Sequence, residues 1–214
     1  MDIPILYADP HFVVLNKPAG LPSHPGPSGG ASVEDCFKQL SRRKDGPWLA
    51  HRLDTDTAGC LLVALRKTPL LEAQAAFADG RVRKTYWAVV EGEPSAESGV
   101  IDVPLAKVST RAGWRMRADS TGQKAITHWR VLGRSHGQAW LELRPETGRT
   151  HQIRVHCADT GWPILGDPVY GKAGPGLHLL SRNLELSDTV KATAPPPKAM
   201  HAALAASGWM ISLE

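Results

Sequence analysis

Cys60 to Leu65 (CLLVAL) is apolar at every position, without the alternation of a strand that shows one face to water. A short run of this kind is expected of a β-strand covered on both faces, so the chain must supply packing layers on either side of it. The segment in front, HRLDTDTAG (His51 to Gly59), places an Arg-His pair and two carboxylates at the strand entrance. With 214 residues, 42% of them apolar, there is enough material for one good core, and the simplest reading is a single domain spanning 1–214.

Around that strand the pattern is mixed. Phe12 to Leu15 is a short β-like run that stops at Lys17-Pro18, and PAGLPSHPGPSGG after it reads as a long surface loop. Ser32 opens a helix with an S-x-x-D variant of the capping box, with Val33, Cys36, Phe37 and Leu40 on one face. Thr68 is the expected N-cap of a second helix, with Pro69 at its first position and Gly80 beyond its end. The later half is richer in strands: Lys84 to Glu91, Ile126 to Leu132, and Gln138 to Arg144, where Ala139, Leu141 and Leu143 alternate with Trp140, Glu142 and Arg144. Arg134 to Gly137 turns the hairpin between the last two. Lys107 to Ala125 is polar and basic around Trp114 and reads as a protruding arm or loop. Thr150 to Thr160 is expected as a helix capped by Thr150 and ended by Gly161, and a Pro-rich segment precedes a last helix that stops near Gly208. Strands outnumber helices and do not alternate strictly with them, which favours α+β with a mixed, largely antiparallel sheet flanked by helices and loops.

Composition excludes several classes. Cys36, Cys60 and Cys157 are odd in number, far apart and without a C-x-x-C, so neither a disulfide framework nor a four-ligand zinc site is written here, and a reducing cytoplasm is the expected setting. No basic leader with an apolar stretch opens the chain and no 18 apolar residues run together, so a soluble protein with no membrane partner is expected. The 25 Lys+Arg against 21 Asp+Glu, with a pI near 9.1, suit a polyanionic partner without requiring one.

Two constellations carry chemistry. On an extended chain Arg52, Asp54 and Asp56 share a face. A glycosidase pair is one reading. The D-x-D nucleophile motif of haloacid-dehalogenase-type phosphatases is another, but its strand should precede the first aspartate and Ala58 stands where Thr or Val belongs. Asp56 also reads simply as a turn residue before Gly59. The second constellation is ETGRTHQIRVHCADTGWPILGDPVYG (Glu146 to Gly171). On a helix, His151 and Arg154 lie on one face with Ile153 beside them. His151 and His156 are spaced i, i+5, which disfavours a zincin-like metal site. Arg149 and Arg154 also read as solvated helix charges, although four charged or imidazole side chains in eight positions is dense for a core-facing segment.

HRLDTDTAG resembles the HRLD-x-x-T/S-x-G signature of the RluA family of pseudouridine synthases, and GRTHQIRVH (Gly148 to His156) with GWPILGDPVYG (Gly161 to Gly171) resembles its other hallmark. LNKPAGLPSHPG near the start and RKTYWAVVEG (Arg83 to Gly92) agree, in family order over about residues 5 to 180. The resemblance implies the pseudouridine synthase fold with a central active-site cleft and an isomerase that needs no cofactor and no metal. It implies Asp54 as the catalytic aspartate, Tyr86 as the tyrosine that packs on the target base, Arg154 as the basic residue paired with the aspartate, Ile153 as a wall of the base pocket and Arg52 as the residue that displaces the target nucleotide. His51, Arg149 and His151 are the neighbouring candidates for substrate contact.

RNA, as tRNA or rRNA, is the implied partner. Arg83 and Lys84, and the arm with Arg111, Trp114, Arg115 and Arg117, combine cations for phosphates with an aromatic that can stack on a base. Asn16, Lys17 and the HPGPSGG loop are weaker candidates. The expected catalytic strand begins within the first fifteen residues, leaving no room for an S4-type RNA-binding domain, and LHLLSRNLEL departs from the family's His-Ala-x-x-Leu pattern. A monomer is the simplest expectation. Two other hypotheses remain: an RNA-binding or RNA-chaperone protein of the same fold, and a hydrolase using Asp54 and Asp56.

Overall fold

A computed structural model of the chain describes residues 2–26, 29–110 and 113–209. In chain order its elements are β1 (Ile5–Ala8), β2 (Phe12–Lys17), a 3-10 turn (Val33–Cys36) running into α1 (Phe37–Leu40), β3 (Trp48–Leu49), β4 (Ala58–Ala64), α2 (Lys67–Ala78), β5 (Arg83–Glu91), β6 (Ser98–Asp102), β7 (Leu105–Thr110), β8 (Gly113–Ala118), β9 (Ile126–Ser135), β10 (Gln138–Pro145), α3 (Gln152–Asp159), β11 (Leu179–Glu185), β12 (Lys191–Thr193) and α4 (Lys198–Ala206). They fall into two compact units, Met1–Lys84 with Leu180–Pro197, and Thr85–Leu179 with Lys198–Glu214. Among the described residues no helix is long and apolar enough to cross a membrane.

In the first unit β4 is the centre. All seven of its residues are buried, as its unalternating sequence requires. It pairs antiparallel with β2 and β3 and parallel with β11, while β1 pairs with β2 and β12 with β11. Gly59 stands at the parallel contact, opposite Ser181, with φ +107. A Cβ there would lie 2.2 Å from the Ser181 carbonyl oxygen, so only glycine allows the two strands to meet. The Ser32 capping box forms as expected, with Asp35 returning a bond to the Ser32 amide, but it heads one 3-10 turn before a single α turn.

The second unit is an antiparallel sheet in which β10 lies between β5 and β9, and β6 pairs with β9. The alternation read along β10 holds: Ala139, Leu141 and Leu143 enter a core with Ala88, Val90, Ile153, Cys157 and Ile164. His136 and Gly137, both at positive φ, make the tight turn between β9 and β10 that favours the native strand twist. The basic segment after Leu105, read as an arm or a loop, holds an antiparallel strand pair, β7 and β8.

Two helix starts differ from expectation. α2 is capped by Arg66 and begins at Lys67, so Thr68 is helical and Pro69 sits third, still within the first turn where amides lack intrahelical acceptors. α3 begins at Gln152, not after Thr150, because His151 takes a left-handed conformation with φ 52 that breaks the helical path. The Gln152 side chain, reaching back to accept from the Arg149 amide at 3.0 Å and the Thr147 hydroxyl at 2.7 Å, orders the approach to the helix.

Candidate active site

Asp54 occupies the first position of a tight turn, its carbonyl accepting from the Thr57 amide at 3.1 Å, and the chain then enters β4. Asp at the first position and a polar residue at the third suit such a turn, so Asp56 has the turn role that its sequence context allows. What fixes the turn comes from the LNKPAGLPS segment. Ser23 Oγ donates to the Leu53 carbonyl at 2.8 Å and accepts from the Leu53 amide at 3.1 Å. Lys17, with no exposed surface, donates to the carbonyls of Pro18, Leu21 and Thr55 at 2.9, 2.7 and 2.8 Å. The residues on both sides of Asp54 are therefore held from behind while its own side chain is half-buried.

Burial pushes the Lys17 ammonium down to about 8, against the opposing pull of Asp56 and Asp54. Lys17 is thus a buried cation behind the Asp54 turn, a stronger role than a residue bordering a cleft. His51 works on the scaffold: its Nε2 accepts from the Leu62 amide at 3.0 Å and its ring lies on Phe77 with centroids 4.7 Å apart. Burial, and the Lys84 charge after it, push this imidazole down to about 3, so it is neutral and can accept. Arg52 is exposed. Arg83 is paired with Glu185 at 2.7 Å, and burial lowers the Lys84 ammonium.

In the second unit Arg154 is buried, 4% exposed, and not a solvated helix charge. Its Nε and Nη2 donate in parallel to the two carboxylate oxygens of Asp167, each at 2.8 Å, and Asp167 is wholly buried. Burial, the largest single effect, pushes the Asp167 carboxyl up, but the Arg154 guanidinium and the amides of Val169 and Tyr170 together outweigh it and hold the carboxyl below its usual range. A paired, planar and fully charged cation is thus held at fixed orientation in a dry setting. Ile153, one residue earlier, is in the core cluster against which Tyr86 packs from β5. The fold therefore joins Tyr86 and Ile153 on one apolar surface.

His151 hydrogen-bonds the Tyr170 hydroxyl at 2.8 Å and lies parallel to Trp114, ring centroids 5.5 Å apart. Lys107 Nζ stands over the Trp114 ring, 4.4 Å from its centroid, and that indole is 47% exposed. Arg115 is exposed, Arg117 pairs with Asp119 at 2.8 Å, and Arg149 donates to the Lys124 carbonyl at 3.0 Å. Arg111 lies outside the described residues. Among the described residues no three His, Cys, Asp or Glu side chains gather as a metal-holding group.

Sequence reasoning missed Ser23, Asp167 and Tyr170 as supporting residues. All three lie within quoted fragments, LPSHPG and GDPVYG, where the signal was present as a motif but carried no partner.

The fold is that of the pseudouridine synthases. The solved structure of human RNA pseudouridylate synthase domain containing 4 superposes with a TM-score of 0.80 at 29% identity, over 94% of this chain and 91% of that one. A family model described as RNA pseudouridylate synthase matches residues 11–159, which take in the Asp54 turn, β5 and α3. The chain belongs to that family, to its RluA type, and is an isomerase acting on uridine in RNA. It is 42% identical to an uncharacterised RNA pseudouridine synthase of Zymomonas mobilis, over 91% of this chain and 94% of the relative. It is 38% identical to ribosomal large subunit pseudouridine synthase D of the same organism, over 86% of this chain and 61% of that relative.

Proposed function

We propose that Asp54 is the catalytic carboxylate and that the substrate is a uridine in structured tRNA, rRNA or both. The observation that carries the assignment is the bracing of the Asp54 turn: Leu53 is held through both its backbone groups by Ser23, and Thr55 by the buried Lys17. A carboxylate that must meet a single carbon of a single nucleotide needs a backbone that does not move, and this one is fixed on each side.

The isomerisation breaks the bond from uracil N1 to ribose C1′ and makes one from C5 to C1′; the C5 proton is released and N1 is protonated. Asp54 supplies the ionised carboxylate. Tyr86 packs against the uracil, Ile153 lines its apolar side, and Arg154 is the cation that the family resemblance pairs with the aspartate. The base is not reachable while stacked, so it is flipped out at a cost of about a few kcal/mol that RNA contacts offset, with Arg52 as the exposed wedge. Lys107, Trp114 and Arg115 on the β7–β8 hairpin supply stacking and phosphate contacts. His51 accepts from the Leu62 amide of β4 and Arg149 donates to the Lys124 carbonyl ahead of β9, so in this reading both brace the scaffold around the site. The three cysteines, all free and buried, suit a reducing cytoplasm, and the enzyme acts as a monomer.

The test is tritium release from tRNA and rRNA fragments carrying 5-tritiated uridine, with wild type and Asp54→Asn side by side. Release by wild type and none by the variant is the expected result, and the fragment that responds names the RNA class. Retained RNA binding without release by wild type would overturn the reading in favour of an RNA-binding or chaperone protein.

A further inference from the structure

The phenol of Tyr170 stands where the RNA-contacting hairpin meets the helix of Arg154. Its hydroxyl accepts from the Met116 amide of β8 at 3.1 Å, a bond between residues 54 apart in sequence, and pairs with His151 Nδ1 at 2.8 Å. Its ring lies under the Arg154 guanidinium, 5.2 Å from centroid to Cζ. The turn that presents Tyr170 is itself pinned by Asp167, whose Oδ1 accepts from the amides of Val169 and Tyr170 at 2.9 and 3.1 Å while both its oxygens hold Arg154. Around the phenol, Leu105, Met116, Val155 and Ala125 form a small apolar cluster at the root of the hairpin.

A two-stranded hairpin is marginal by itself and takes its position from what it packs on. Here the apolar contacts fix only that the root of the hairpin is buried, since dispersion and area burial are non-directional. The Tyr170 hydroxyl adds directional bonds that run from β8 to the Tyr170 turn and to the residue before α3. A hairpin that slid or rotated on the cluster would lose the Met116 bond and draw Trp114 off the His151 ring.

We propose that Tyr170 is a positioning residue that seats the β7–β8 hairpin on the start of α3, so that one side chain sets both the grip on RNA and the surroundings of Arg154. This rests on the reading that the hairpin contacts RNA. Removing the hydroxyl while keeping the ring leaves the Arg154 stacking and the apolar cluster in place and releases both the Met116 amide of the hairpin and the His151 ring on which Trp114 lies.

The experiment uses the full chain with Tyr170→Phe, Trp114→Ala and the double variant, on the RNA from which wild type releases tritium. Thermal unfolding checks that each is folded. Loss of the hydroxyl's bonds is expected to raise KM for RNA about five- to tenfold with kcat within about twofold of wild type. Trp114→Ala is expected to raise KM by a similar factor, and the double variant no further than the larger single one, because both act through the same seated hairpin. An unchanged KM in Tyr170→Phe, factors that multiply in the double variant, or a fall in kcat at constant KM would each overturn the proposal. If wild type releases no tritium from any RNA, the synthase chemistry has failed and not the seating of the hairpin; the same three variants then read the proposal as RNA dissociation constants by filter binding.

Discussion

Lys17 shows what one side chain does for Asp54. A lysine with no exposed surface is costly to bury, and its charge is retained because three backbone carbonyls converge on the ammonium and two aspartates face it. Two of the three carbonyls belong to the loop after β2 and the third to the residue after Asp54, so one group ties loop to turn. Lys17→Met keeps the apolar stem and leaves those carbonyls without the donor. Relief of the desolvated charge offsets part of the loss, and the net cost is expected to be about 2–3 kcal/mol in urea denaturation. Because the Thr55 carbonyl is one of those released, kcat for tritium release is expected to fall about tenfold or more, with KM changed much less. A loss confined to stability would show that Ser23 suffices to hold the turn.

Among the elements, β4 carries the greatest constraint. It is buried along its whole length, and it meets β11 by a short parallel register beginning at Ala58 and Gly59. Gly59 serves two needs there, a backbone in the left-handed region and the absence of a Cβ against Ser181. Gly59→Ala meets both penalties at once and is expected to cost on the order of 3 kcal/mol or more, read as a lowered unfolding midpoint or loss of soluble protein. Wild-type stability in that variant would mean that β11 can shift away at little cost. The hairpin of β7 and β8 is the opposite case: exposed along most of β8, it is ordered by its root rather than by burial of its length.

Across the molecule, Cys36 of α1's approach, Cys60 of β4 and Cys157 of α3 are all buried, and burial pushes the Cys60 and Cys157 thiols up to about 12. Cys60 also donates to the carbonyls of Arg182 and Ala192. Thiols so placed are neutral and inaccessible at pH 8, so reaction with a thiol reagent must wait for opening of the structure. The expected result is no rapid labelling of native protein and a labelling rate that follows unfolding as urea is added. Fast labelling of Cys60 or Cys157 in native buffer would mean that its unit opens locally.

The local pattern located β2, β4, β5, β9 and β10 and the turns beside them, but not the short edge strands β1, β3, β6 and β12, nor β11, nor the pairing of β7 with β8. The unalternating run predicted β4, the alternation predicted β10, and Gly-rich or Pro-rich stretches predicted the breaks, because periodicity and φ preference act within a few residues. The HRLD and THQIR segments were legible as motifs for the same reason. Partners of buried polar groups were not. Ser23 and Lys17 reach residues 30 and 38 positions away, Arg154 takes Asp167 13 positions on, and Tyr170 takes Met116 54 positions back. His151 likewise turned left-handed and displaced the expected start of α3. In a medium from which water is excluded each donor and acceptor must find a partner among its neighbours in space, and those neighbours exist only once the chain has folded. The sequence by itself named the candidate residues; the tertiary structure decided which others hold them in place.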